Sequence, residues 1–161
     1  MTAVTPILTP ESARDCFLSV ADADLIAEKI PGEDGAAWRA LTDADEKARL
    51  LIQASRDLSE ETWDGVEFDA DQALAWPRRP PYNRSQLVET DIPEEVKRAT
   101  VWQAIFYVTD RIRDQKAMRD GIRDTRVGNV SVTFRSSGDL ICEEAHRCLD
   151  KKWLLAGIGV R

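Results

Sequence analysis

Apolar residues recur along this chain at two spacings. Up to Gly121 they mostly fall three and four positions apart, the period of a helix, and beyond it they alternate, the period of a strand. Ser19 precedes VADADLIAEKI with Asp22 three positions on, a capping-box-like start for a short helix that Pro31-Gly32 ends. PGEDG then reads as a loop, followed by Trp38 and Leu41. In TDADEKARLLIQASRDLSEET, Thr42 is placed to cap the N-terminus, and acids in the first turn suit the positive end of the helix dipole. Ala44, Ala48, Leu51, Ser55 and Leu58 form one stripe, with Glu46, Arg49, Gln53 and Asp57 off it, which predicts an amphipathic helix.

IPEEVKRATVWQAIFYVTDRIRD predicts the strongest helix. Pro93 suits its first position, Glu94 and Glu95 its positive end, and Arg111 and Arg113 its other end. Val101, Ala104, Ile105, Val108 and Ile112 form one stripe, widened by Tyr107, and Trp102 and Phe106 form a second. A helix apolar around so much of its girth needs enclosure, in the centre of a bundle or partly by another subunit. In TRVGNVSVTFRSSG, Val127, Val130, Val132 and Phe134 alternate around Gly128-Asn129 and predict one or two short strands with a turn. DLICEEAHRCLDKKWLLAGIGVR gives a closing helix with Ile141, Ala145, Cys148, Leu149 and Trp153 along one side, released at Gly157 and Gly159. The expected fold is mostly α: a small bundle of about four helices with a long irregular loop and a short β-hairpin or edge strand. It forms a single domain over residues 1–161, with 1–18 an extended lead-in and 157–161 a flexible tail.

One stretch obeys neither period. Residues 63–91 form a long irregular connection containing ALAWPRRPPYNRS, where Pro77, Pro80 and Pro81 exclude helix and Arg78, Arg79 and Arg84 add charge. Connections of this length are uncommon unless functional or packed by their own side chains. Trp63, Phe68, Leu74 and Trp76 supply such side chains, so Trp63, Phe68, Trp76 and Pro77 are expected to be structural, pinning an Ω-like loop with a stiff exit. The same elbow has a nucleic-acid reading, because Trp76, Tyr82, Arg78, Arg79 and Arg84 could stack bases and neutralise phosphates. PRRPP also offers a P-x-x-P element for polyproline recognition.

Charge narrows these options. Lys and Arg total 22 against 29 for Asp and Glu, a net charge of -7, which disfavours non-specific DNA binding by the whole surface. No membrane-length apolar run and no secretory signal pattern are visible. Cys16, Cys142 and Cys148 read as reduced thiols, and with His146 the single histidine and no C-x-x-C pair, a zinc site is not expected. Cys142 and His146 sit four apart on a helix, where a reactive pair is physically possible but a surface histidine is the plain reading. Asp69-Ala-Asp71 lacks the remaining ligands of a calcium loop, and no Gly-rich phosphate loop precedes a helix. The chain is expected to be no enzyme and to need no cofactor or metal.

The order of these segments resembles a known family. SVADAD, then Trp38-x-x-Leu41-Thr42-Asp43 opening an Ala-rich helix with LIQASRDL, then Trp63, DQALAWPR, IPEEVKRAT and RVGNVSVTF, is similar to bacteriophage head–tail connector (adaptor) proteins over residues 19–135. Closely similar sequences are also grouped as a DnaT-like single-stranded-DNA-binding family. The connector resemblance implies a phage neck protein of the virion, made in the host cytoplasm: a homo-oligomeric ring, twelvefold, joining the portal protein to the stopper or tail-terminator protein. DNA would pass through its bore without specific binding, and no membrane is involved. On that reading Trp153, Leu154, Leu155, Ile158, Val160 and Arg161 are expected to bind the portal. Arg78, Arg79, Tyr82, Arg84, Val127, Val130, Val132 and Phe134 are expected to contact neighbouring subunits or the stopper. The DnaT-like alternative implies a replication accessory protein that binds single strands. It would need a continuous basic-aromatic groove, for which the sequence offers the 76–84 elbow and the mixed-charge run 110–126.

Overall fold

The computed structural model describes residues 3–8, 13–79, 92–119, 126–127, 130–131 and 141–153, with side chains described except at 110–119, 126–127, 130–131 and 150–153. Helix α1 (Val20–Ala27) starts where the sequence places it, because the Ser19 hydroxyl accepts from the Asp22 amide at 3.1 Å. Helix α3 (Ala44–Ser59) is capped by Asp43 instead of Thr42, the Asp43 carboxylate accepting from the Asp45 amide at 2.9 Å. Its buried face holds Ala48, Leu51, Ser55 and Leu58 as expected, together with Leu50 and Ala54, whereas Ala44 is exposed.

Between them lies a helix whose first four residues, 32–35, were expected to be loop. Helix α2 (Gly32–Ala40) begins at Gly32, whose φ of 76° only glycine adopts without strain, and Glu33 and Asp34 occupy its first turn. Two glycines in nine residues hide its propensity, and long-range contacts hold it instead. The fully buried Trp38 donates from Nε1 to Asp24 at 2.8 Å, and Lys47 reaches the same carboxylate at 2.8 Å from 5.3 Å above the Trp38 ring. Arg39 donates to the Ala27 carbonyl at 3.1 Å, at the end of α1 where carbonyls lack helical partners.

Helix α4 (Glu94–Arg119) takes the enclosed position, touching each of the other four described helices. Pro93 sits just outside it, its carbonyl accepting from the Lys97 amide at 3.1 Å. Val101, Ala104, Ile105 and Val108 are buried along one stripe, while Trp102, Phe106 and Tyr107 are partly buried beside it; the Ile112 side chain lies outside the described residues. Helix α5 (Glu143–Trp153) closes the core with Ile141, Cys142, Ala145 and Leu149. The described part of the N-terminal segment contributes to the core: Cys16, Phe17 and Leu18 are buried, and the Phe17 amide donates to Ser55 Oγ at 3.1 Å.

A partly buried polar chain ties α3 and α4 to the residue that precedes α5. The Cys142 amide donates to Gln103 Oε1 at 2.7 Å, Gln103 Nε2 donates to Tyr107 Oη at 3.0 Å, and the Tyr107 hydroxyl donates to the Asp57 carboxylate on α3. Burial first, and the bond to Asp57 second, push the Tyr107 hydroxyl pKa well up from its ordinary value.

Two small antiparallel ladders complete the described residues. Strand β1 (Val66–Glu67) pairs with β2 (Arg78–Arg79) in register Val66↔Arg79 and Glu67↔Arg78. Strand β3 (Arg126–Val127) pairs with β4 (Val130–Ser131) in register Val127↔Val130, as short strands here were expected to; Gly128-Asn129, expected as the turn, lie outside the described residues. The fold is therefore mostly helical, with five helices among the described residues where about four were expected.

Candidate functional site

Two surfaces collect the residues singled out from the sequence. The first is the loop between α3 and β2. Trp63 donates from Nε1 to the Leu58 carbonyl at 2.9 Å, capping the end of α3, and Trp76 stands edge-on against it at 5.5 Å and 90°. Leu74, Ala75 and Trp76 are buried with Trp63, and Pro77 is fully buried behind a cis Trp76–Pro77 bond. Ser59 on α3 accepts from the Ala75 amide at 3.2 Å, which fixes the loop to the helix. The loop is pinned by its own aromatics.

The two described arginines of the elbow have different surroundings. Arg78 turns inward: its guanidinium donates to the carbonyls of Gly65 at 2.7 Å, Asp64 at 3.1 Å and Ala75 at 3.1 Å, with Glu67 at 3.9 Å. Burial lowers its pKa, while the charges of Glu67 and Asp64 oppose the shift. An arginine spent on three backbone carbonyls staples the loop and is poorly placed to meet a phosphate or a neighbouring subunit. Arg79 faces solvent, its guanidinium 5.0 Å from the centroid of the half-buried Phe68 ring, with Val66 62% exposed beside it in the ladder. Phe68 is half-buried, and its amide donates to the Pro77 carbonyl at 3.2 Å. Asp69 accepts from the Asp71 amide at 3.0 Å, so this carboxylate shapes a turn.

The second surface is a half-open groove of about 480 Å³ between α2, α4 and the start of α5. Trp102, Ile105 and Phe106 of α4 and Ile141 and Cys142 ahead of α5 make its apolar wall. Asp34, Glu143 and Glu144 bring carboxylates to its edge, and Thr109 and His146 complete the lining. Sequence reasoning treated these residues separately; what it lacked was the approach of α2 to α4. Cys142 and His146 both line the groove, but burial raises the Cys142 thiol to about 11, the reverse of the depressed value that activates a nucleophilic cysteine. Burial also raises Cys16 and Cys148, and all three cysteines are free. Among the described residues no cluster of three or more His, Cys, Asp or Glu could hold a metal ion, and no helix is long and apolar enough to cross a membrane.

Of the remaining expected site residues, Val127 and Val130 face each other across the β3–β4 ladder, and Trp153 is the last residue of α5. Tyr82, Arg84, Val132, Phe134, Leu154, Leu155, Ile158, Val160 and Arg161 lie outside the described residues.

Comparison with known proteins gives one family. The model of the family described as "Putative DnaT-like ssDNA binding protein" matches residues 8–157. No curated protein and no solved structure matches the chain.

Proposed function

The chain belongs to the DnaT-like ssDNA-binding family, and on that premise we propose that it is a DNA-handling accessory protein that contacts single strands through the 66–84 elbow. The observation that supports this reading is the exposed Arg79 guanidinium lying 5.0 Å from the centroid of the half-buried Phe68 ring: an aromatic side chain and a cation at one surface spot can stack a base and meet its phosphate. In sequence Tyr82 and Arg84 follow, extending the same pair of chemistries. Arg78 is left out, because its donors are committed to the loop's own carbonyls. A net charge of -7 works against binding anywhere else, so affinity is weak and salt-sensitive. With two or three phosphates engaged, log K should fall against log salt with a slope of about -1.4 to -2.1. Anisotropy of a labelled oligo-dT measures this. Arg79→Ala and Phe68→Ala should each weaken binding several-fold without unfolding the protein; unchanged binding in both would remove the elbow as the DNA site.

A second reading keeps the phage neck: a non-enzymatic ring subunit of the virion between portal and stopper, with DNA passing unbound. The acidic-edged apolar groove beside Trp102 and Phe106 favours it, because this surface suits a protein partner and repels phosphate. In that case light scattering gives a ring, alone or with purified portal, and oligo-dT does not bind at physiological salt. Monomers that bind oligo-dT and ignore portal support the first reading.

A further inference from the structure

We propose that the groove between α2, α4 and the start of α5 receives the Val66, Phe68 and Arg79 face of a second copy of this chain, which masks the elbow's nucleic-acid surface. The β1–β2 ladder builds that face. Val66 is paired with Arg79, and Phe68, two positions on, falls on the same side because strand side chains alternate. The Phe68 amide donates to the Pro77 carbonyl at 3.2 Å, so the pairing runs on to Phe68. Glu67 falls on the other side, its carboxylate 3.9 Å from the Arg78 guanidinium. One patch therefore holds Val66, 62% exposed, the half-buried Phe68, and Arg79, whose guanidinium lies 5.0 Å from the Phe68 ring. Arg79 donates to the Phe68 carbonyl at 3.4 Å, and its guanidinium has further donors to offer from an exposed position.

The groove is complementary to that patch. Trp102, Ile105 and Phe106 give an apolar wall for Val66 and Phe68, and Trp102 and Phe106 are only partly buried. Asp34 and Glu144 bring carboxylates for Arg79. Neither takes an ion pair among the described residues, whereas Glu143 meets Arg147 at 2.5 Å. The volume of about 480 Å³ is that of a small-ligand site, which leaves room for a few inserted side chains. Aromatic rings beside anions are also what a single strand presents. A surface that suits the one suits the other, so the groove and a strand compete for the same cation. A net charge of -7 sets copies against each other at long range, which keeps the contact weak and reversible. The masking rests on the single-strand reading of the elbow; the contact between copies does not.

Sedimentation velocity of the full chain over a range of concentrations reads the contact. The unaltered chain should associate reversibly. Arg79→Glu and Glu144→Lys, both at exposed positions, should each weaken association by about tenfold or more, with circular dichroism unchanged. Mixing the two variants should restore it, because Arg79 of one still meets Glu144 of the other. Val66→Ser, which leaves every charge in place, should weaken it less. Oligo-dT should dissolve the association of the unaltered chain, since strand and second copy need the same Arg79. An unaltered chain that stays monomeric at roughly millimolar concentration overturns the proposal. So does association that both charge variants keep, that mixing fails to restore, or that persists with oligo-dT bound. Association that behaves as described while oligo-dT does not bind supports the contact and refutes the elbow reading alone.

Discussion

Replacing Trp76 with alanine removes the centre of the loop between α3 and β2. The ring is 2% exposed, packs edge-on to Trp63 at 5.5 Å, and shares its cluster with Leu74 and Ala75. Deleting a buried Trp to Ala costs about 3–5 kcal/mol, the loss of transfer energy plus that of an incompletely collapsed cavity. The edge-to-face contact with Trp63 carries about 0.5–1.5 kcal/mol of this. For a chain of 161 residues each kcal/mol shifts the melting temperature by about 2–4 °C, so a fall of roughly 6–20 °C is expected. Urea unfolding followed by far-UV circular dichroism gives the free energy directly, and a cycle with Trp63→Ala isolates the ring–ring term, because the two residues touch. The same samples are titrated with oligo-dT. A loss below about 1 kcal/mol, together with abolished DNA or partner binding, would refute the reasoning: Trp76 would then be a contact surface and not a pin.

Gly35→Ala should destabilise by about 1–3 kcal/mol through overpacking, because a Cβ there would meet the Ile30 carbonyl oxygen at 2.0 Å; thermal melts check it. Ser55→Ala leaves the buried Phe17 amide without its acceptor and should cost about 1–3 kcal/mol, with faster hydrogen exchange at that amide. Stability should fall in alkali. The Cys142 thiol, raised from 9.0 to about 11 by burial, holds its proton more tightly folded than unfolded, so its contribution is full below pH 9 and is lost as pH rises through 11. Tyr107 shifts in the same direction, and melts from pH 8 to 11 should show a shallower decline in Cys142→Ala.

The helices α1, α3, α4 and α5 and the short strands β3 and β4 were legible because their signals are local: a cap, a helical period of apolar positions, an alternation of apolar residues. The burial of Trp76 was legible for the same reason, since a Trp directly before Pro amid Phe68 and Leu74 is suited to packing. What stayed hidden depends on partners far away in sequence. Helix α2 exists because Trp38 finds Asp24 and Arg39 finds the end of α1, contacts that outweigh two glycines in nine residues. The two elbow arginines look equivalent in sequence, yet only the fold, by closing β1 on β2, commits Arg78 to three carbonyls and leaves Arg79 over Phe68. The acidic-edged groove likewise needs α2, α4 and α5 to converge. Periodicity and caps report what a segment does to itself and to water, and they determined the elements of this protein. Which polar group meets which, and so which cation and which apolar face remain available for a ligand, was decided by packing between elements that the sequence leaves unspecified.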